Sequence, residues 1–188
     1  MLRCFVIVML SMVLFSCASV SEKQELAFQL DGRNELYEKS GWSFVGRIAL
    51  LDSDSSFSAA ISWVHEGEND EIELSGPFGQ GRTIIWVTGS SVEIDNGDEH
   101  LQYFGDVDML ISRQLGVSVP VSALRYWLLG LVHPRMKYTE QAGGFVQSGW
   151  QVTYHAMQQE GKELLPRKLR IEQDKTKLKL VIGEWDLK

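Results

Sequence analysis

The sequence predicts a mainly β protein, an incomplete (unclosed) antiparallel β-barrel of about eleven strands with a helical lid. Three observations predict it. From Gly41 onward apolar residues recur at every second position in short runs, the runs are separated by clusters rich in glycine, asparagine and aspartate, and only two segments near the middle carry helical spacing instead. Many short antiparallel strands with helices grouped together give one strongly curved sheet with the helical insert over its mouth.

The chain opens on a targeting signal. Met1 to Ser16 holds one basic residue, Arg3, followed by an apolar run from Cys4 to Leu14 broken only by Ser11. That run is too short to span a bilayer and fits a secretory h-region. It closes on Leu14, Phe15, Ser16 and Cys17, which resembles the lipobox of bacterial lipoproteins, where the cysteine is acylated and becomes the new N-terminus. The plainer readings are an uncleaved anchor or an ordinary signal peptide with Cys17 as a spare thiol. Against them, Cys4 leaves with the signal, and Cys17 is then the one cysteine in a compartment where disulfides need pairs. Residues 1–16 are therefore read as a lipoprotein signal peptide and 17–188 as a single lipid-anchored periplasmic domain. Ala18 stands where enterobacterial lipoproteins kept in the inner membrane carry aspartate, so the expected address is the inner leaflet of the outer membrane.

The mature part, 172 of the 188 residues, suffices for one domain with a substantial core. It carries 17 basic against 25 acidic residues, which points to no nucleic-acid partner. Ser21 and Gln24 make a capping box for a polar helix through Leu26, Leu30, Arg33 and Tyr37, weakened by Gly32. The period then changes to two. Trp42, Phe44, Gly46, Ile48 and Leu50 share one strand face; Phe57, Ala59, Ile61 and Trp63 share the next; Ile72 and Leu74 alternate with Glu71 and Glu73. Arg82 to Thr88 is apolar on both faces. Val92 and Ile94 lead through Asp95, Asn96, Gly97 and Asp98, a type I′ hairpin signal, to Leu101 and Tyr103.

Asp106 caps a short helix that ends at Gly116. The lid helix follows in Pro120 to Leu131, with Ser122 as N-cap, Val121 and Tyr126 as a staple, and Gly130 as a left-handed C-cap. Leu124, Trp127, Leu128 and Leu131 form its apolar stripe, which a helix this short must bury against the sheet. Plain core packing is the expectation for Leu124 and Leu128, while Trp127 and Leu131 are the candidates for a ligand-facing surface. Strands are expected again over Met136–Glu140, Phe145–Gln147, Trp150–His155, Arg167–Glu172 and Leu178–Leu187.

The inward strand positions hold Trp42, Phe44, Trp63, Trp86, Trp150 and Trp185, which serve a filled barrel as well as a cavity. Gly46, Ala59 and Gly149 beside them leave room and favour the cavity. In the loop Gly76 to Gly81, turn chemistry explains every residue except Phe78, which either folds back onto the rim or is buried in something external. Enzymatic readings fail on spacing. His65, His100, His133 and His155 show no metal-ligand pattern, no GxSxG elbow occurs, and Glu71 with Glu73 reads as a solvated face.

The lipobox at Cys17, GWSFVGRIAL, GPFG, VSVPVSALRYWLLGL, GWQVTY, LPRKLRIE and LKLVIGEWDLK together resemble the LolB family, the outer-membrane receptors of bacterial lipoprotein sorting. The resemblance spans nearly the whole chain and is most specific at PVSALRYWLLGL. It implies an acyl-chain cavity and lid drawn from Trp42, Phe44, Ile61, Trp63, Trp86, Leu124, Trp127, Leu131 and Trp150, and a membrane-insertion loop at Pro77, Phe78 and Gly79, with phenylalanine at a tip where leucine is familiar. It implies no cofactor, and as partners a LolA-type periplasmic carrier, lipoprotein acyl chains and the outer-membrane leaflet, for a receptor that is itself a monomer. A lipid-binding envelope lipoprotein without a transfer step and a structural envelope lipoprotein are the competing readings. Cys17→Ser is expected to leave the domain folded but without acyl chains; a Cys17→Ser protein that mass spectrometry still finds acylated refutes the anchor.

Overall fold

The computed structural model describes residues 27–52, 56–79, 81–115 and 119–188, apart from the Phe78 and Leu115 side chains. Cys17, the capping box at Ser21 and Gln24, and Gly116 lie outside the described residues. Eleven strands form one antiparallel sheet: β1 (Gly41–Leu51), β2 (Ser56–Glu66), β3 (Asn69–Ser75), β4 (Thr83–Thr88), β5 (Ser91–Asp95), β6 (His100–Phe104), β7 (Tyr138–Gln141), β8 (Gly144–Gln147), β9 (Trp150–Glu160), β10 (Glu163–Gln173) and β11 (Thr176–Leu187). Between β6 and β7 come two helices, α1 (Val107–Leu115) and α2 (Val121–Leu128).

The sheet order is β6-β5-β4-β3-β2-β1-β11-β10-β9-β8-β7. Six strands thus run outward from β1 and five run back inward to β11, and the pairing of β1 with β11 joins the two halves. The free edges are β6 and β7, so the barrel stays unclosed, and the helices lie in the chain that connects these edges. Both helices bury their apolar sides in the same core as the concave face of the sheet.

The alternation in β1 puts Trp42, Phe44 and Leu50 inside, each 2% exposed. Halfway along, the register with β11 shifts at Val45 and Gly46, a bulge that adds one residue to β11. The extra residue lets Leu178, Leu180 and Ile182 face inward and then returns Trp185 to the same face. Gly46 is what allows the bulge, because a Cβ there would lie 2.4 Å from the Val181 carbonyl oxygen. Its small size therefore serves a backbone contact, and Gly149 likewise sits at φ 83° in the β8–β9 turn; neither makes cavity space. Strand β10 begins before Pro166, earlier than the sequence indicates. A bulge just after the proline accommodates its missing N–H, and the Pro166 carbonyl accepts the Trp185 indole N–H at 2.9 Å.

Several local expectations are corrected. The segment from residue 27 is non-helical up to a 3-10 turn at Asn34–Glu38, because Gly32 takes φ 80°, which breaks an α-helix through Leu30 and Arg33. The β5–β6 loop has four residues, 96–99, and is closed by the Asn96 side chain accepting from Asp98 and Glu99, so it is no two-residue type I′ turn. Helix α2 begins at Val121, which makes Ser122 an interior residue and not the cap. Its N–H and hydroxyl both donate to the Asp108 carboxylate of α1, so one helix caps the other. Asp106 does cap α1, accepting from the Met109 N–H at 2.8 Å. Gly130, at φ 78°, ends α2: its N–H bonds the Trp127 carbonyl and the Leu131 N–H bonds that of Tyr126, the paired bonds of a Schellman motif.

The C-terminal end of α2 is fixed by a side chain with no apolar character. Gln147, fully buried, accepts from the Trp127 indole N–H and the His133 N–H, both at 2.8 Å, and donates to the His133 and Met136 carbonyls at 3.0 and 2.9 Å. Every hydrogen-bonding position of the amide is used. Gln147→Leu keeps the volume and orphans four groups at once, one buried and three part-buried, so urea unfolding is expected to show a loss of about 3 kcal/mol. A loss below about 1 kcal/mol refutes this reading of the clamp.

Candidate functional site

The concave face is filled at one end and open at the other. At the filled end Trp42 stacks on Phe44 at 6.0 Å between ring centroids and tilts against Trp63 at 5.6 Å, while Trp185 meets Phe44 at 5.1 Å. Such ring pairs add to the burial itself. Trp42 and Phe44 are therefore packed core, not the cavity lining the sequence suggests.

Beyond Trp63 the packing gives way to an apolar cavity of about 60 Å³ that opens to solvent. This is a narrow slot, well below the roughly 300–1,000 Å³ of most ligand sites. Its wall is Ile48, Leu50, Ile61, Trp63, Ile72 and Ile85, its roof is Ile111, Val121 and Leu124 from the helices, and Phe57 and Leu74 stand at the rim. Ala59 lies between Phe57 and Ile61 on the same strand face, opposite Ile48, and is not among the residues that line the cavity. The wall residues come from the end of the sheet where β1 and β3 finish and β2 and β4 start. From that same end projects the β3–β4 connection, with a 3-10 turn at Pro77–Gly79 closed by the Gly79 N–H on the Gly76 carbonyl. Pro77 and Gly79 are exposed.

The candidates from the sequence divide accordingly. Ile61, Trp63 and Leu124 line the cavity. Trp127 does not: it is fully buried, bonded to Gln147, packed at 6.3 Å on Trp150, and its carbonyl accepts from the Tyr154 hydroxyl. Burial pushes the Tyr154 hydroxyl well above its ordinary pKa, so it remains a donor. Trp150 belongs to the same core. Leu131, 1% exposed, borders a polar recess beside His65 and Arg125 instead of the apolar cavity. The expected roles within the lid are thus reversed, because Leu124 faces the cavity and Trp127 the clamp. Trp86 is on the convex face, where its indole N–H donates to Glu71 at 3.0 Å; its neighbours Ile85 and Val87 take the inward positions.

Two residues of the site escaped the sequence reading. Asp70 stands at an inward position of β3 with its side chain wholly buried, and its carboxylate accepts from the Trp63 indole at 2.9 Å, from His65 at 2.8 Å and from Arg125 of α2. The cavity wall and the lid are thereby tied through one carboxylate. The signal was a lone acidic residue in phase with Ile72 and Leu74 on an apolar face. Arg33 is the other, a buried guanidinium donating to the Leu129 carbonyl at the end of α2, its pKa lowered by that burial. Among the described residues no group of three His, Cys, Asp or Glu side chains is placed to hold a metal, and no helix is long and apolar enough to cross a membrane.

Leu124→Trp, which fills the cavity from its roof, is expected to abolish binding of a fluorescent fatty-acid analogue with the melting temperature kept. Trp127→Ala is expected to cost about 3–5 kcal/mol of stability. If Leu124→Trp still binds the analogue as the parent does, this cavity is not the ligand site.

The family model described as outer membrane lipoprotein LolB matches residues 40–185, from the start of β1 to Trp185. The outer-membrane lipoprotein LolB of Chromohalobacter salexigens is 33% identical over 154 residues, covering 78% of this chain and 71% of that protein. That of Alkalilimnicola ehrlichii is 31% identical and covers 94% of this chain and 93% of that protein. Among solved structures, a LolA superfamily protein of Nitrosomonas europaea superposes with a TM-score of 0.51 at 8% identity, covering 80% of this chain and 87% of that one. A DUF1329 family protein of Desulfovibrio piger reaches 0.54 at 6% identity, covering 82% and 88%. At such identities the structures speak for the fold, and it is the family model and the relatives that establish that this chain belongs to the LolB family of outer-membrane lipoproteins.

Proposed function

We propose that this chain is a receptor that accepts acylated lipoproteins from a soluble periplasmic carrier of the LolA type, shelters their acyl chains in the cavity under α1 and α2, and inserts them into the outer-membrane leaflet to which Cys17 anchors it. The observation that carries this reading is that the apolar cavity lies at the end of the sheet from which the Pro77–Gly79 turn projects. Cargo leaving the mouth would therefore meet the bilayer beside the loop.

The chemistry asked of the protein is non-covalent. Each methylene of an acyl chain gains about 0.8 kcal/mol on leaving water, so the carrier, the cavity and the bilayer compete for the same apolar surface. A cavity with an open rim at Phe57 and a narrow interior covers a chain only in part, and the bilayer covers all of it. The gradient thus runs toward the membrane. Phe78 in this reading is the apolar tip that enters the leaflet; burying it is worth on the order of 2 kcal/mol, enough to orient the mouth without holding the protein.

Phe78→Glu is expected to leave stability within about 0.5 kcal/mol of the parent, since the tip lies in an exposed turn. Transfer from carrier to receptor should persist, and release into liposomes should slow because a charge must enter the interface. Phe78→Leu should restore release. Radiolabelled lipoprotein followed through both steps scores them separately, and wild-type release by Phe78→Glu would remove the loop from the mechanism.

A further inference from the structure

The protein is acidic overall, with a net charge of −7, yet its convex face is divided by sign. Over β3 to β5 the outward residues form the rows Glu71, Trp86, Glu93 and Glu73, Ile84, Asp95. Over β1, β11 and β10, beyond the rows Ser43 with Asp186 and Val45 with Glu184 at the far end, the outward rows are Arg47, Val181, Lys168, then Ala49, Lys179, Arg170, then Leu51, Lys177, Glu172. Five cations in these last three rows face one carboxylate, and Glu172 already pairs with Lys177 at 3.3 Å and Arg170 at 3.5 Å. Arg47, Lys168 and Lys179 have no ion pair or side-chain hydrogen bond among the described residues. Between the charges stand exposed apolar side chains, Val45 and Val181 at 47% and Leu51 at 41%.

We propose that this convex strip of β1, β11 and β10 is a docking surface for the anionic headgroups of a phospholipid leaflet. Long cationic side chains around exposed aliphatic ones suit a bilayer interface, where the stems and the valines reach the acyl boundary and the charges stay at headgroup level. Three of the five cations are lysines, point charges on flexible stems, which fit a mobile layer of phosphates better than the fixed carboxylates of a protein partner. Position agrees as well. The row of Leu51 and Lys177 lies at the end of the sheet that holds the cavity mouth, while the acidic rows of β3 to β5 would be repelled by the same leaflet. The two halves together would fix the tilt of the barrel and hence where the mouth meets the membrane. This goes beyond the proposed transfer function and rests on it only for the presence of a membrane.

The test uses the full-length, lipid-bearing chain with Val181→Cys labelled by an environment-sensitive fluorophore, and vesicles of phosphatidylcholine alone or of phosphatidylcholine and phosphatidylglycerol mixed three to one. With phosphatidylglycerol the label is expected to shift to the blue and to be quenched by lipid-borne bromine, and high salt should reverse both changes. A label at Glu93→Cys should stay in water throughout. Each charge removed should lower the ratio of docked to undocked protein about fivefold, read with Lys179→Gln and with the triple variant Lys168→Gln, Lys177→Gln, Lys179→Gln. The single variant serves if the triple one melts early. An equal shift in phosphatidylcholine, no shift in either vesicle, or protection of the label only on addition of an acidic carrier protein would each overturn the proposal, the last by making the strip a protein-docking surface. Neither cargo nor transfer enters the measurement, so its failure is distinct from failure of the receptor function.

Discussion

The arrangement of the cavity depends on the buried amide of Gln147. A barrel left open between β6 and β7 has to be covered by something that does not slide, and α2, with eight residues, is too short to be stable by itself. Gln147 supplies two acceptor and two donor bonds to α2 and to the segment after it, and the Tyr154 hydroxyl and the Arg33 guanidinium add bonds to the carbonyls of Trp127 and Leu129. These groups all converge on the C-terminal end of the helix. A buried polar network is either fully satisfied and rigid or costly, and this one is satisfied at each position of the amide. The N-terminal half of α2 is held differently, through Asp108 of α1 and through the Arg125–Asp70 pair, so the half that roofs the cavity rests on contacts to carboxylates.

That division matches the division of the barrel interior. Where the aromatic rings of Trp42, Phe44 and Trp185 meet there is no space for a ligand, and where the wall passes to isoleucine and leucine the space opens. Trp63 stands at the boundary, with its ring in the aromatic cluster and its edge in the cavity. Its indole N–H would be left without a partner by so apolar a wall, and Asp70 answers it while also holding Arg125 of the lid. The requirement to satisfy one N–H thus places a carboxylate inside the barrel, and the carboxylate in turn requires a cation above it. Breaking a buried pair of this kind usually costs about 3–5 kcal/mol because one charge is then stranded.

Family membership and physical reading meet at the cavity. The LolB relationship covers the sheet and the lid together, and the cavity they enclose is apolar on every side, suited to hydrocarbon and to little else. Nothing in its lining is arranged to make or break a bond, so affinity there follows from area and shape. A shallow apolar slot with an open rim suits the proposed transfer role, which asks for release more than for tight binding.

What the sequence by itself determined was the set of strands and the class of fold. The period-two runs from Gly41 to Leu187, the turn residues between them and the two helical segments are local properties, and a strand with one buried face can carry no other pattern. The left-handed end of α2 at Gly130 was legible for the same reason, since the chain there needs a positive φ. Only the tertiary structure decided which apolar residues face empty space and which face each other. Trp127 and Leu124 lie on one helical stripe and look alike in the sequence, but the first meets Gln147, twenty residues on, and the second borders the cavity. Trp86 lies between two isoleucines and a valine, and its outward position depends on the phase in which Ile85 and Val87 pair with Ile72 and Asp70 across the sheet. A cavity is an absence of neighbours, and neighbours distant in sequence are fixed only when the pairing of β1 with β11 brings the two halves of the chain together.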